Sequence, residues 1–276
     1  MEHFHDRFER VFSARTFIEL NAAIIVAAET MGGGKMFFDT GLIHVPVILF
    51  GILLFARISL RIRLFDPQIR SFLHSCLASL VILLAANVLE FAVQNLDIGG
   101  PLITLYGAVI ALRVVSMLVL AYGTLVMLMA YGIVSEGVAW ALVAALAAIA
   151  IVTVVVTDEP LRASMTSPLT FVMLSFSVGL GQMAALLKLA SRAPVFANAM
   201  GLMLAATLFV SLGAAAGSVH LMNIDYPPIT VQATYFTQFC DFFAISLLFL
   251  GIGAFVDLGQ TYHNQAWRKA QRMKAA

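Results

Sequence analysis

The sequence predicts an all-α fold: a polytopic membrane helical bundle of about eight transmembrane helices, or seven if residues 16–31 do not span. Three observations lead there. The chain is 61% hydrophobic and only 11% charged over 276 residues, against roughly 25% charged in a soluble domain. A soluble protein of this balance would expose large apolar patches, so lipid is the solvent that suits it. The apolar residues fall into runs of about twenty, the length that crosses a bilayer as a helix. Turn residues and short charged clusters separate these runs.

Residues 1–15 form an amphipathic segment, with Phe4, Phe8, Val11 and Phe12 on one helical face and charge on the other. That is the pattern of a helix at the membrane interface or of a solvated lead-in. The segment lacks the basic start, apolar core and small-residue cleavage site of a signal peptide. Residues 16–256 read as a single transmembrane bundle. Its first candidate span, 16–31, is short and carries Glu19, Asn21 and Glu29 before Gly32, Gly33 and Gly34 end it. It either spans or forms a re-entrant or interfacial helix. The other spans are expected at 42–60, 69–96, 102–134, 138–156, 169–189, 196–219 and 229–256. Residues 257–276 form a basic, helical tail with Trp267 as an interfacial anchor.

With eight spans, one side of the membrane collects Arg7, Arg10, Arg15, Arg61, Arg63, Arg70, Lys188, Arg192, Arg268, Lys269, Arg272 and Lys274. The other side holds only Lys35 and Arg162. The positive-inside rule then places both termini in the cytoplasm of a cell whose inner membrane holds the protein. Loops between spans reach about a dozen residues at most, so any external surface is small. Gly201, Ala205, Gly213 and Gly217 recur at steps of four and eight, and Ser175–Gly179 and Ser177–Gly181 repeat the pattern one helix earlier. Such small residues let helices approach closely.

Span 69–96 draws attention because it carries Cys76, Ser79, Asn87, Glu90 and Gln94 along one helical stripe, continued by Asp97. A carboxylate in a lipid-crossing helix is costly unless it faces protein or a water-filled cavity. The last span repeats the theme with Thr234, Gln238 and Asp241. Counted along helices at about 1.5 Å per residue, Glu90 is expected about 10 Å and Asp241 roughly 18 Å below the outer surface. Arg113 reaches a similar depth if its helix begins at Pro101, and snorkels to the headgroups if it begins at Ala111. Glu90, Asp241, Arg113, Asn87, Gln94 and Gln238 are therefore the candidates for a transport or polar network. A carboxyl group held in low dielectric keeps its proton more readily, which suits proton coupling. A salt bridge that only sets helix register is the competing reading.

His44 and His220 lie at the same end of two spans, at depths compatible with a haem or a metal site that includes Asp39 or Asp225. No HxxxH or HExxH supports this, so the signal is weak and no cofactor is strongly indicated. Cys76 and Cys240 sit inside apolar runs, outside any metal-ligand spacing, and read as packed thiols. No lysine in the last span offers a retinal Schiff base. Arg57, Arg61 and Arg63 lack the every-third spacing of a voltage sensor and read as cytoplasmic anchors. No nucleotide-binding loop is present, no catalytic constellation is legible, and the near-neutral charge argues against nucleic acid as a partner.

The leading expectation is thus a small transporter or channel-like protein for protons, ions or a small polar solute. The alternative is a non-catalytic membrane subunit, sensor or scaffold that binds a partner membrane protein or a second copy of itself. A haem-binding or redox subunit comes third. Lipid is the one partner common to all three.

Overall fold

The computed structural model describes residues 43–65, 67–95, 102–156, 166–192, 196–218 and 227–275, together with Ala23, Val26 and Thr30. Among these residues there are seven long helices and no strand: α1 (His44–Arg61), α2 (Pro67–Asn95), α3 (Leu102–Ala130), α4 (Glu136–Val156), α5 (Thr166–Arg192), α6 (Ala197–Gly217) and α7 (Pro227–Ala275). Five stretches are long and apolar enough to cross a membrane: His44–Leu64, Ile69–Val93, Gly107–Ala130, Ala197–Gly217 and Gln232–Gly259. The chain folds as a multi-pass helical membrane bundle. The expected first span, 16–31, lies outside the described residues apart from Ala23, Val26 and Thr30, which are helical and exposed.

Local chemistry sets the helix boundaries. α1 runs into a 3₁₀ turn, Ile62–Leu64, and Phe65 is extended before the Asp66–Pro67 step. Proline disfavours helix in the residue before it and is well placed at a first helical position, where its missing N–H costs nothing. At the far end of α3 the Ile133 N–H donates to the Leu128 carbonyl and the Gly132 N–H to the Met129 carbonyl, each at 2.9 Å. Gly132 sits at φ 64°. This is a Schellman closure, which needs a residue free to adopt the left-handed region. Glu136 then opens α4, where a carboxylate favours the helix N-terminus.

The five spanning helices pack each on the next, α1 on α2, α2 on α3, α3 on α6, α6 on α7 and α7 back on α1. α5 lies against α3 and α6, and α4 packs only on α3 and α5 among the larger contacts. The peripheral place of α4 explains its apolar exposed face, with Trp140 at 62% accessible. Inside the ring, Phe50, Leu54 and Ile58 of α1 meet Phe72, Leu73, Leu80 and Leu83 of α2 and Ile245, Phe249 and Ile252 of α7.

The basic end is closed by aromatic packing. Phe255 stacks on Phe65 with centroids 6.2 Å apart, meets Phe72 edge-on at 5.6 Å and Phe196 at 4.5 Å. Beside it Arg57 and Arg61 both donate to Asp257, and Arg57 lies over the Phe249 ring at 5.7 Å. The expectation that these arginines serve only as anchors is therefore incomplete. They bind α1 to α7 just where α7 leaves the apolar zone. α7 itself continues unbroken to Ala275, so the expected tail is an extension of the last span.

The small-residue stripes divide in two. Gly213, Gly217 and Gly179 face neighbours at close range, Gly179 against Ser211. Gly201, Gly181 and Ser177 are exposed, and nothing lies within 4 Å of either glycine's Cβ position. Spacing alone identifies a face; it does not say whether that face meets helix or lipid.

Candidate functional site

Four helices of the ring contribute one charged or ionisable side chain each to a single point. Glu90 comes from the last third of α2, Arg113 from the first half of α3, Asp241 from α7 and His44 from the first position of α1. All four are at most 2% accessible. Their convergence follows from the packing order, since α2 is flanked by α1 and α3, and α7 closes on α1.

One guanidinium nitrogen, Nη2 of Arg113, donates to Glu90 Oε2 and also to Asp241 Oδ2. Hydrogen bonds between two ionised groups are the strong class. His44 stands on the other side of Glu90, with Nε2 at 4.0 Å from the same Oε2. Its second nitrogen, Nδ1, lies 2.9 Å from Asn87 Oδ1. The Asn87 amide is oriented by its own NH₂, which donates to the Leu83 carbonyl at 3.0 Å. Phe91 meets the imidazole edge-on at 6.5 Å. Within the cluster, Arg113 Nε, Asp241 Oδ1 and His44 Nε2 have no hydrogen-bond partner among the described residues.

Two carboxylates and one guanidinium leave a formal charge of −1 when His44 is neutral. An uncompensated charge in this setting is expensive. The cluster therefore favours states in which a proton or another small cation balances it.

Comparison with protein-family models, with curated proteins and with solved structures finds no match.

The structure brings Glu90, Arg113 and Asp241 together, and adds Asn87 through His44. Gln238 is fully buried one turn before Asp241 on α7. Gln94 lies in the last turn of α2, with its side chain outside the described residues. Of the two histidines considered for haem or metal, His44 is placed against Asn87 and Glu90, and His220 falls outside the described residues, as do Asp39 and Asp225. Among the described residues no group of three or more His, Cys, Asp or Glu side chains is placed to hold a metal ion.

The depths expected from sequence differ by roughly 8 Å between Glu90 and Asp241, yet both bind one nitrogen. The helix ends are not level. Asp241 lies roughly 21 Å along α7 from Pro227 and Arg113 roughly 17 Å along α3 from Leu102, while Glu90 is roughly 8 Å from the end of α2. The start of α3 at Leu102 removes the alternative in which Arg113 snorkels outward.

Polar side chains hold this geometry in register. One turn along α3 from Arg113, Ser116 and Ser79 of α2 exchange hydroxyl-to-carbonyl bonds of 2.9 and 2.8 Å. Gln182 of α5 donates to Thr124 of α3 at 2.8 Å. On α6, glycine replaces a side chain where the cluster comes closest. A Cβ at Gly213 would lie 3.5 Å from Asp241 Oδ1, and one at Gly217 would lie 3.8 Å from Arg113 Nη1.

Proposed function

We propose that the protein is a small transporter of the cell's inner membrane that moves protons, or another small cation or polar solute coupled to them, through the Glu90–Arg113–Asp241 centre. The observation that carries this reading is the charge count of a centre walled off from solvent: two acids share one guanidinium nitrogen, so the site binds one positive charge more than its side chains supply. Charged groups inside a membrane bundle are rare and commonly mark ion or proton paths. Binding and releasing the balancing charge changes the attraction across α2, α3 and α7. A transporter needs such a coupling between occupancy and helix arrangement. By the distribution of basic residues, the end of the bundle holding Arg57, Arg61 and Asp257 faces the cytoplasm and the charge centre lies towards the opposite side.

Proton and cation flux into proteoliposomes tests the reading, with Glu90→Gln and Asp241→Asn compared against wild type at several pH values. Each variant is expected to lose pH-dependent flux while eluting as a folded protein. Wild-type flux in both variants would overturn the proposal. A flux-inactive wild type that co-purifies with a stoichiometric membrane partner would replace it with the subunit or scaffold reading.

A further inference from the structure

The charge count leaves open where the balancing charge sits, and the surroundings of His44 answer that. Because the Asn87 NH₂ is committed to the Leu83 carbonyl, the atom facing His44 is the amide oxygen, which only accepts. Nδ1 of His44 must then be the N–H donor of that 2.9 Å bond. The remaining nitrogen, Nε2, carries a lone pair in the neutral ring and faces Glu90 Oε2 at 4.0 Å. It is fully buried and has no hydrogen-bond partner among the described residues. A buried basic nitrogen aimed at a carboxyl oxygen is a proton acceptor waiting on its donor.

We infer that the coupling ion is a proton and that it is held alternately by Glu90 and His44, with Asn87 as the positioning residue that keeps Nε2 facing the acid. The inference rests on the transport reading and names its ion. In one state the proton is on Glu90 Oε2: Glu90 and His44 are neutral, and Asp241 balances Arg113. In the other the O–H bond has broken and an N–H bond has formed at Nε2. Glu90 is then a carboxylate, His44 an imidazolium that keeps its Nδ1–H bond to Asn87, and two anions face two cations. The total is zero in both states. Moving the proton from α2 to α1 therefore transfers charge between helices without adding net charge to the buried site. The 4.0 Å separation exceeds the 2.7–3.2 Å of a direct hydrogen bond, so transfer requires the two helices to approach by about 1 Å or a water molecule to bridge them.

Every charged or titratable group that faces His44 among the described residues enters this balance. Glu90 faces it from α2, Asp241 from α7 and Arg113 from α3 beyond Glu90. The Cys240 thiol adjoins Asp241 on α7, packed against α6 at Gly213. α6 carries no ionisable residue at all, and the ionisable residues of α5, Lys188 and Arg192, lie at its opposite end.

The test uses full-length protein with ¹⁵N-labelled histidine in lipid nanodiscs. The six histidines are resolved by comparison with His44→Asn and His44→Gln, and the carboxylic C=O band is followed by infrared spectroscopy on the same samples. Wild type is expected to show His44 exchanging between the Nδ1–H neutral ring and the imidazolium, with the carboxylic band weakening as the imidazolium grows. In Glu90→Gln the imidazolium signal of His44 is lost, because Arg113 and Asp241 already balance. In both His44 variants the carboxylic band gains intensity, and in Asn87→Ala the exclusive Nδ1–H signal gives way to a mixture of tautomers. An imidazolium signal unchanged by Glu90→Gln, or a carboxylic band unchanged in the His44 variants, overturns the inference. If flux is still lost in Glu90→Gln under that outcome, the transport reading stands and only the His44 relay falls. Retained flux in Glu90→Gln and Asp241→Asn would remove the transport reading whatever the spectra show.

Discussion

Replacing Arg113 by Gln is the most informative single perturbation. The side chain is 1% accessible, and both acids it serves are at most 2% accessible. Glutamine fills part of the volume but supplies no charge. Glu90 and Asp241, which now share one nitrogen, would be left facing each other as two buried acids. Breaking a buried ion pair by removing one partner costs about 3–5 kcal/mol, because the surviving charge is stranded. At about 1.4 kcal/mol per factor of ten, the folding equilibrium should fall by roughly 10² to a few times 10³. Adding Glu90→Gln and Asp241→Asn to Arg113→Gln removes the stranded charges. Neutral replacements of whole buried ionic groups are often tolerated, so the triple variant should recover to within about 1–2 kcal/mol of wild type. Reversible unfolding in mixed micelles, followed by the helical circular-dichroism signal, reads both numbers. An Arg113→Gln variant as stable as wild type, or a triple variant no better than the single, would refute the claim that the cluster's stability is set by its charge balance.

Asp257 is 48% exposed, so Asp257→Asn should cost only about 0.5–1 kcal/mol, shrinking as salt screens the pair; melting at low and high ionic strength checks both size and salt dependence. Ser79→Ala, which removes one of the reciprocal bonds to Ser116, should cost about 0.5–1.5 kcal/mol in micelle unfolding. Leucine at Gly213 would have to displace Cys240, whose Cβ lies 3.1 Å from the new Cβ, and should destabilise by about 1–3 kcal/mol. A Cβ at Gly201 meets nothing within 4 Å and the position is exposed, so leucine there should be near neutral, and equal effects at the two positions would show that α6 packs differently.

Much of this arrangement could be read from the sequence where helical period is the signal. Cys76, Ser79, Asn87 and Glu90 fall on one stripe, and all four are buried, because side chains three, four and seven apart share a face whatever the tertiary context. Asp241 was legible as a counterpart for the same reason. Relative height along the bundle was not legible. A count from turn residues treats helix ends as level, whereas α3 and α7 reach further beyond the cluster than α2 does. His44 was visible as a histidine at the end of a span, but its partnership with Asn87 and Glu90 depends on α1 packing beside α2, which no local pattern encodes. The two arginines at the other end illustrate the same limit. Their spacing excluded a voltage sensor, yet their common partner, Asp257, lies about 200 residues away in sequence.

The two ionic clusters of this chain differ in exposure and in charge balance. At the basic end, Asp257 is half exposed and accepts from both arginines; water can complete the pairing, and the arrangement binds α1 to α7 at low desolvation cost. At the other cluster three formal charges and an imidazole are stripped of solvent, with one cation set between two anions and, among the described residues, polar atoms left over on Arg113, Asp241 and His44. A structural clasp gains nothing from this. An apolar core of equal volume commonly matches or exceeds a buried ion cluster in stability, and polar atoms without partners subtract from it. What the second cluster has, and an apolar core lacks, is more than one charge-neutral way of placing a proton. The placements weight different helix contacts: with the proton on Glu90, Arg113 is balanced by Asp241 alone, and with the proton on His44, the Glu90 carboxylate draws both Arg113 and His44. On the proposed transport reading, the cost of burial is the condition for that choice: in water either placement would be screened, and in the bundle each one would pull on a helix.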